Sequence, residues 1–111
     1  MSDRTQIMLS LLNKIEDFMR ASNLWETVSP PPAAFESQQP FCVDTMAFSQ
    51  WLQWIFIARF RAILEGGHPL PEACGIAVMA EEALTGMEID LGHMLNLLRE
   101  FDSLFDQDRR L

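Results

Sequence analysis

The sequence predicts an all-α fold: a four-helix bundle whose first and second helices are joined by a long ordered loop. Three observations carry this. Apolar residues recur at the i, i+3/i+4 spacing of a helix face along separate stretches of the chain. The breaks between those stretches hold Asn23, the run Pro30-Pro31-Pro32, Gly66-Gly67 and Gly86, residue types that end helices. A composition of 49% hydrophobic and 22% charged residues, with three Trp and eight Phe, supplies a core that an acidic disordered tail lacks. The 111 residues are expected to form one domain over 1–111, of a size that buries about 65% of the surface its unfolded chain exposes.

From Thr5 to Ser22 the residues Ile7, Met8, Leu11, Leu12, Ile15, Phe18 and Met19 trace one helix face, and Asn23 is the expected left-handed stop. Leu24 to Val43 cannot continue the helix, because of its prolines. It carries Leu24, Trp25, Val28, Phe35 and Phe41, too much apolar surface for a solvated linker, so an ordered crossing is expected, with one short turn over Pro32-Ala33-Ala34-Phe35-Glu36. Asp44 or Thr45 is the expected N-cap of a long second helix through Glu65. Its apolar residues run almost all the way round, the pattern of a central, buried helix. A third helix is expected over Glu72 to Leu84, with many small side chains, and a fourth from Glu88 to about Phe105.

The net charge is −8, with Lys14 as the only lysine. That balance argues against a protein that neutralises phosphates or sits on anionic lipid, so no direct nucleic-acid or membrane partner is expected. Residues 1–64 carry six acids and five bases, residues 65–111 ten acids and three bases. The acidic stretch contains Glu65, Glu72, Glu81, Glu82, Glu88 and Asp90, read either as a patch that steers a basic partner or as a solvated face that keeps the chain in solution. The richest apolar stretch, Trp51 to Leu64, is interrupted by Gln53, Arg59 and Arg61, short of a membrane span. With no secretory leader apparent after Met1, and with Cys42 and Cys74 read as free thiols, a cytoplasmic setting is expected.

Catalytic equipment is not apparent. Glu65-x-x-His68 and Asp90-x-x-His93 have the carboxylate–histidine spacing of bundle metal sites, but Gly66-Gly67 separates the first pair and no further inward carboxylates accompany the second. No metal or cofactor is expected. Cys42 has no histidine nearby in sequence and apolar neighbours that favour burial, and Cys74 is expected on a small-residue helical face, so neither is read as a nucleophile. Arg59 and Arg61 beside Trp51, Trp54 and Phe60 are read as snorkelling ends or partners of the acidic half, not as a stacking platform for bases.

Gln39-Pro40-Phe41-Cys42-Val43-Asp44-Thr45, followed by Phe48-x-x-Trp51-Leu52-Gln53-Trp54-Ile55-Phe56-Ile57, resembles the signature of the YqcC-like family of small bacterial proteins. Leu24-Trp25, Phe35-x-Ser37, Leu70-Pro71 and Met79-x-Glu81-Glu82-Ala83 extend the resemblance over nearly the whole chain. Ala58 stands where the family commonly has proline, which predicts a straighter central helix. The resemblance implies an all-helical bundle often encoded beside a pseudouridine synthase acting on transfer RNA, and sometimes labelled with that enzyme's name. Such a synthase needs a catalytic aspartate in a mixed α/β fold at least twice this length, so the fitting role is an accessory protein.

The expected function is therefore a non-catalytic partner of another protein, a basic RNA-modifying enzyme. The expected contact residues are Trp25, Phe35, Gln39, Phe41, Asp44, Gln53 and Trp54, with Glu81 and Glu82 on the acidic third helix. Two alternatives stand beside it: a small-molecule-binding or catalytic bundle with a pocket lined by Trp51, Trp54, Phe56 and Cys42, and an obligate homo-oligomer that buries the aromatic surface between copies.

Overall fold

The first helix, α1 (Asp3–Ala21), places Met8, Leu11, Leu12, Ile15 and Met19 in the core of a computed structural model that describes residues 3–68 and 75–106. Ile7, expected on that face, is 44% exposed, because it leads the buried stripe by one position. The helix ends as its sequence predicts. Asn23 is left-handed at φ 61°, Leu24 N–H donates to the Met19 carbonyl at 2.8 Å, and Asn23 N–H donates to that of Arg20 at 3.3 Å. This is a Schellman closure, with Leu24 packed against the core as its apolar contact.

The crossing segment contains two short 3₁₀ turns, Pro32–Glu36 and Pro40–Cys42. The first is the turn expected there, with proline opening it. Behind the loop Ala34, Cys42 and Met46 form a small second core, against which Trp51 and Ile55 pack.

The second helix, α2, begins later than expected and is not uniform. It consists of an α-helical turn Phe48–Trp51, a π-helical stretch Leu52–Ile57 and an α-helix Ala58–Gly66. Asp44 and Thr45 do not cap it. Thr45 Oγ1 donates to the Ala34 carbonyl at 2.7 Å, and the Asp44 carboxylate accepts from the Ser37 hydroxyl. The N-cap residue is Ala47, whose N–H donates to Gln50 Oε1 at 2.8 Å. Nor is α2 buried all round: Leu52, Gln53, Phe56, Ile57, Phe60 and Leu64 are buried, while Ala58 and Arg59 are exposed. The continuity expected from Ala58 is interrupted by the π stretch just before it. Gly67, at φ 70°, supplies the left-handed cap that ends α2.

α3 (Ile76–Leu84) faces the core through Ile76, Ala77, Ala80 and Leu84. The start expected at Glu72, like Cys74 and Leu70-Pro71, lies outside the described residues. The first turn of α3 is capped from another element: the Asp102 carboxylate accepts Ile76 N–H at 3.1 Å and Ala77 N–H at 2.9 Å. α4 (Leu91–Asp106) begins three residues after the expected Glu88, because Asp90 caps it by accepting His93 N–H at 3.1 Å. Met94, Leu95, Leu97, Leu98, Phe101 and Leu104 form its buried face. Phe101 meets Phe56 and Phe60 edge to face, with centroids 5.4 and 5.2 Å apart, and these rings join α2 to α4 at the centre. The described residues thus form an all-α bundle of four helices with an ordered crossing loop and no strand.

Candidate functional site

The region expected to make contacts is held to the bundle by a chain of hydrogen bonds centred on Glu26. Gln53, 5% exposed, uses its side-chain amide as a peptide group: Oε1 accepts Glu26 N–H at 2.8 Å and Nε2 donates to the Glu26 carbonyl at 2.7 Å. Gln50 Nε2 donates to the Glu26 carboxylate at 3.2 Å, while its Oε1 receives the Ala47 N–H. Gln53 is therefore an internal clamp rather than a contact available to a partner. Trp25, next to Glu26, is half-buried, and the Arg20 guanidinium lies 4.9 Å above its ring.

Arg20 also belongs to a second clasp. Glu16 accepts from Arg20 at 2.8 Å and from Arg61 of α2 at 2.6 Å, and Arg61 also reaches Asn13 Oδ1 at 2.9 Å. Burial alone raises the Glu16 pKa; the bonds and charges of Arg61 and Arg20 outweigh it and hold the carboxyl below its ordinary value of 4.5. Arg61, expected to pair with the acidic half or snorkel, pairs instead with the first helix.

Residues 34–45 form a tight knot. Besides the bonds of Thr45 and Asp44, Gln39 N–H donates to Ser37 Oγ at 3.1 Å and Cys42 N–H to the Gln39 carbonyl at 3.1 Å. Phe41 and Cys42 are both left-handed, at φ 59° and 50°. For residues with a Cβ such a conformation costs about 1–2 kcal/mol each. Packing offsets it: the Phe41 ring lies 4.8 Å from Trp51 and 6.1 Å from Phe48, and Cys42 is buried in the second core. The reversal leaves Val43 outside at 66% exposure, Phe35 at 37%, and Gln39, Glu36 and Asp44 exposed beside them. Val43 was not among the expected contacts; its place between Cys42 and Asp44 carries no periodic signal, and only the two positive φ angles turn it outward.

The other expected residues are dispersed. Trp54 is half-buried on α2, with its indole N–H enclosed and without a hydrogen-bond partner. Glu81 and Glu82 are exposed on α3, and Glu81 lies 3.7 Å from Arg99 in a solvated pair that adds little stability. Of the residues expected to line a pocket, Trp51, Trp54, Phe56 and Cys42, three pack against other side chains: Trp51 contacts Phe41 and Phe56, Phe56 contacts Phe60 and Phe101, and Cys42 sits with Ala34 and Met46. Asp90 and His93, at metal-like spacing, do different work: the carboxylate caps α4, and the imidazole lies 5.3 Å from the Phe18 ring. Among the described residues, no group of three or more His, Cys, Asp or Glu is placed to hold a metal ion. No helix among them is long and apolar enough to cross a membrane.

A family model described as tRNA pseudouridine synthase C matches residues 7–104. The chain belongs to that family. Over 106 residues it is 36% identical to the uncharacterised protein YqcC of Escherichia coli, spanning 96% of this chain and 94% of that one. An uncharacterised protein of Haemophilus influenzae is 44% identical over 73 residues, 66% of this chain and 69% of that protein. A Pectobacterium carotovorum protein named tRNA pseudouridine synthase C is 41% identical over 73 residues, but these make up 19% of it. The solution NMR structure of E. coli YqcC superposes with a TM-score of 0.84 at 33% identity, covering 99% of this chain and 94% of that one. The family match therefore extends to the fold: an all-α bundle with the same overall course.

Proposed function

We propose that this chain is a non-catalytic accessory protein that binds a tRNA pseudouridine synthase. The observation that carries the reading is the Pectobacterium protein, in which a segment like this one is about a fifth of a longer chain bearing the synthase's name. Four-fifths of that protein lies outside the matched segment, room for a separate enzyme domain. Covalent attachment holds two segments beside each other at an effective concentration of about millimolar, at which a weak interface suffices.

The site geometry agrees with a binding role. Its polar side chains are engaged in holding backbone: Gln53 on Glu26, Gln50 on Ala47, Asp102 on α3, Asp90 on α4. The net charge of −8 suits a basic partner and disfavours direct contact with RNA. The test is isothermal titration of the purified chain into the purified synthase encoded in the same genome. A one-to-one complex with a Kd of about micromolar or tighter is expected. No heat, together with no co-elution on a sizing column, refutes the proposal.

A further inference from the structure

We propose that the outer face of the knot at residues 34–45 is the docking surface for the enzyme, with Phe35 and Val43 as apolar anchors and Glu36 and Asp44 as an anionic rim. Its complement is an arginine- or lysine-bearing face of the synthase around an apolar recess. The inference rests on the accessory-protein reading and says where on the chain that contact is made.

Three observations select this face. Phe35 and Val43 remain 37% and 66% exposed although the loop buries Ala34, Cys42 and Met46 directly beneath them. They lie on segments of the knot that are tied together: the Thr45 hydroxyl binds the Ala34 carbonyl and the Ser37 hydroxyl binds the Asp44 carboxylate. Such fixed apolar side chains bind with little ordering cost. The backbone is also held in two consecutive left-handed residues, Phe41 and Cys42, at the turn that sends Val43 outward. A loop whose only task was to cross the bundle has no need of that strain, and strain of this kind collects where a surface must hold one shape.

Charge then chooses the occupant. Between residues 21 and 58 there are Glu26, Glu36 and Asp44, and no Lys, Arg or His. Glu26 lies outside the knot and is half-buried, so the exposed charges of the knot are Glu36 and Asp44, each adjacent in sequence to one anchor. A nucleic acid is repelled by that arrangement. An enzyme that binds transfer RNA carries basic surface for the phosphates, and basic side chains around an apolar recess match acids around apolar anchors in sign and order.

The experiment is titration of the synthase with the full-length chain and its variants at low and high salt. Phe35→Ser combined with Val43→Ser is expected to weaken binding by about 30-fold, the loss expected of truncated anchors, with unchanged circular dichroism. Glu36→Lys is expected to weaken binding at low salt and to flatten its salt dependence. Glu81→Lys combined with Glu82→Lys, on α3, is expected to weaken binding less than Glu36→Lys alone, through net charge only. Should Phe35→Ser disturb folding, Val43→Arg at the more exposed position carries the test alone. Wild-type affinity in the anchor variants, or a loss that follows Glu81 and Glu82 instead, overturns the assignment of the surface. Absence of wild-type binding is a different outcome and overturns the accessory-protein reading itself.

Discussion

Replacing Gln53 by methionine tests whether the loop is held by a side chain acting as a peptide group. The substitution keeps length and volume but removes both polar atoms, leaving Glu26 N–H and C=O without the partners they now have at 2.8 and 2.7 Å. An orphaned buried backbone group costs about 1–3 kcal/mol. Glu26 is only half-buried, so water recovers part of the loss, and about 2–3 kcal/mol in total is expected. For a domain of this length that lowers Tm by about 10 °C. Gln53→Ala adds a cavity beneath the loop and should cost about 1 kcal/mol more. The assay is urea unfolding monitored by tryptophan fluorescence, since Trp25 and Trp51 lie on either side of the clamp. A Gln53→Met variant within about 0.5 kcal/mol of wild type, the range of an ordinary surface change, refutes the argument that this amide organises the crossing.

Asp102→Ala should lower stability by about 1–2 kcal/mol by uncapping Ile76 and Ala77, with Asp102→Asn retaining part of it because one oxygen remains; chemical denaturation measures both. Asp44→Ala, which removes a bond to Ser37 and not a helix cap, should cost under about 0.5 kcal/mol by the same measurement. Glu16→Gln should cost about 0.5–1 kcal/mol at neutral pH, shrinking in high salt. Because the folded-state pKa of Glu16 is lowered, its contribution is complete above the ordinary value of 4.5 and disappears as pH falls through the lower folded value, so the wild-type and variant pH–stability curves should converge in acid.

Much of the fold is readable in the residues because local physics dictates it. The stripe from Met8 to Met19 and the stop at Asn23 follow from helix periodicity and the tolerance of asparagine for positive φ. Pro32 opening a turn and Gly67 closing α2 follow from fixed and free backbone angles. What is not readable depends on contacts between distant parts of the chain. Asp102 caps a helix that begins 26 positions earlier in the sequence, and no local pattern marks it. Asp44-Thr45 has the composition of a cap, but tertiary bonds to Ser37 and Ala34 claim both side chains first. Of the expected contact residues, Phe35, Gln39 and Asp44 do come together on the knot, whereas Gln53 faces inward and Glu81 and Glu82 belong to another helix.

The π stretch explains why the central helix reads as apolar on every side and yet buries only part of its surface. Leu52, Phe56, Phe60 and Leu64 are spaced by four throughout, and all are buried. In an α-helix of 3.6 residues per turn each step of four overshoots a turn by about 40°, so the last of these residues would stand about 120° from the first. The wider turns of Leu52–Ile57 absorb part of that drift and keep the row directed toward Phe101 and the core. The same widening keeps Gln53 buried next to Leu52, where its amide reaches Glu26. One irregularity thus serves two ends: it aligns the apolar row with the bundle and it positions the clamp for the loop. The loop, fixed at Glu26 and again at Phe41 and Cys42, presents Phe35 and Val43 to solvent. A helix that continued as a regular α-helix from Phe48 would satisfy the core or hold the loop, but not both.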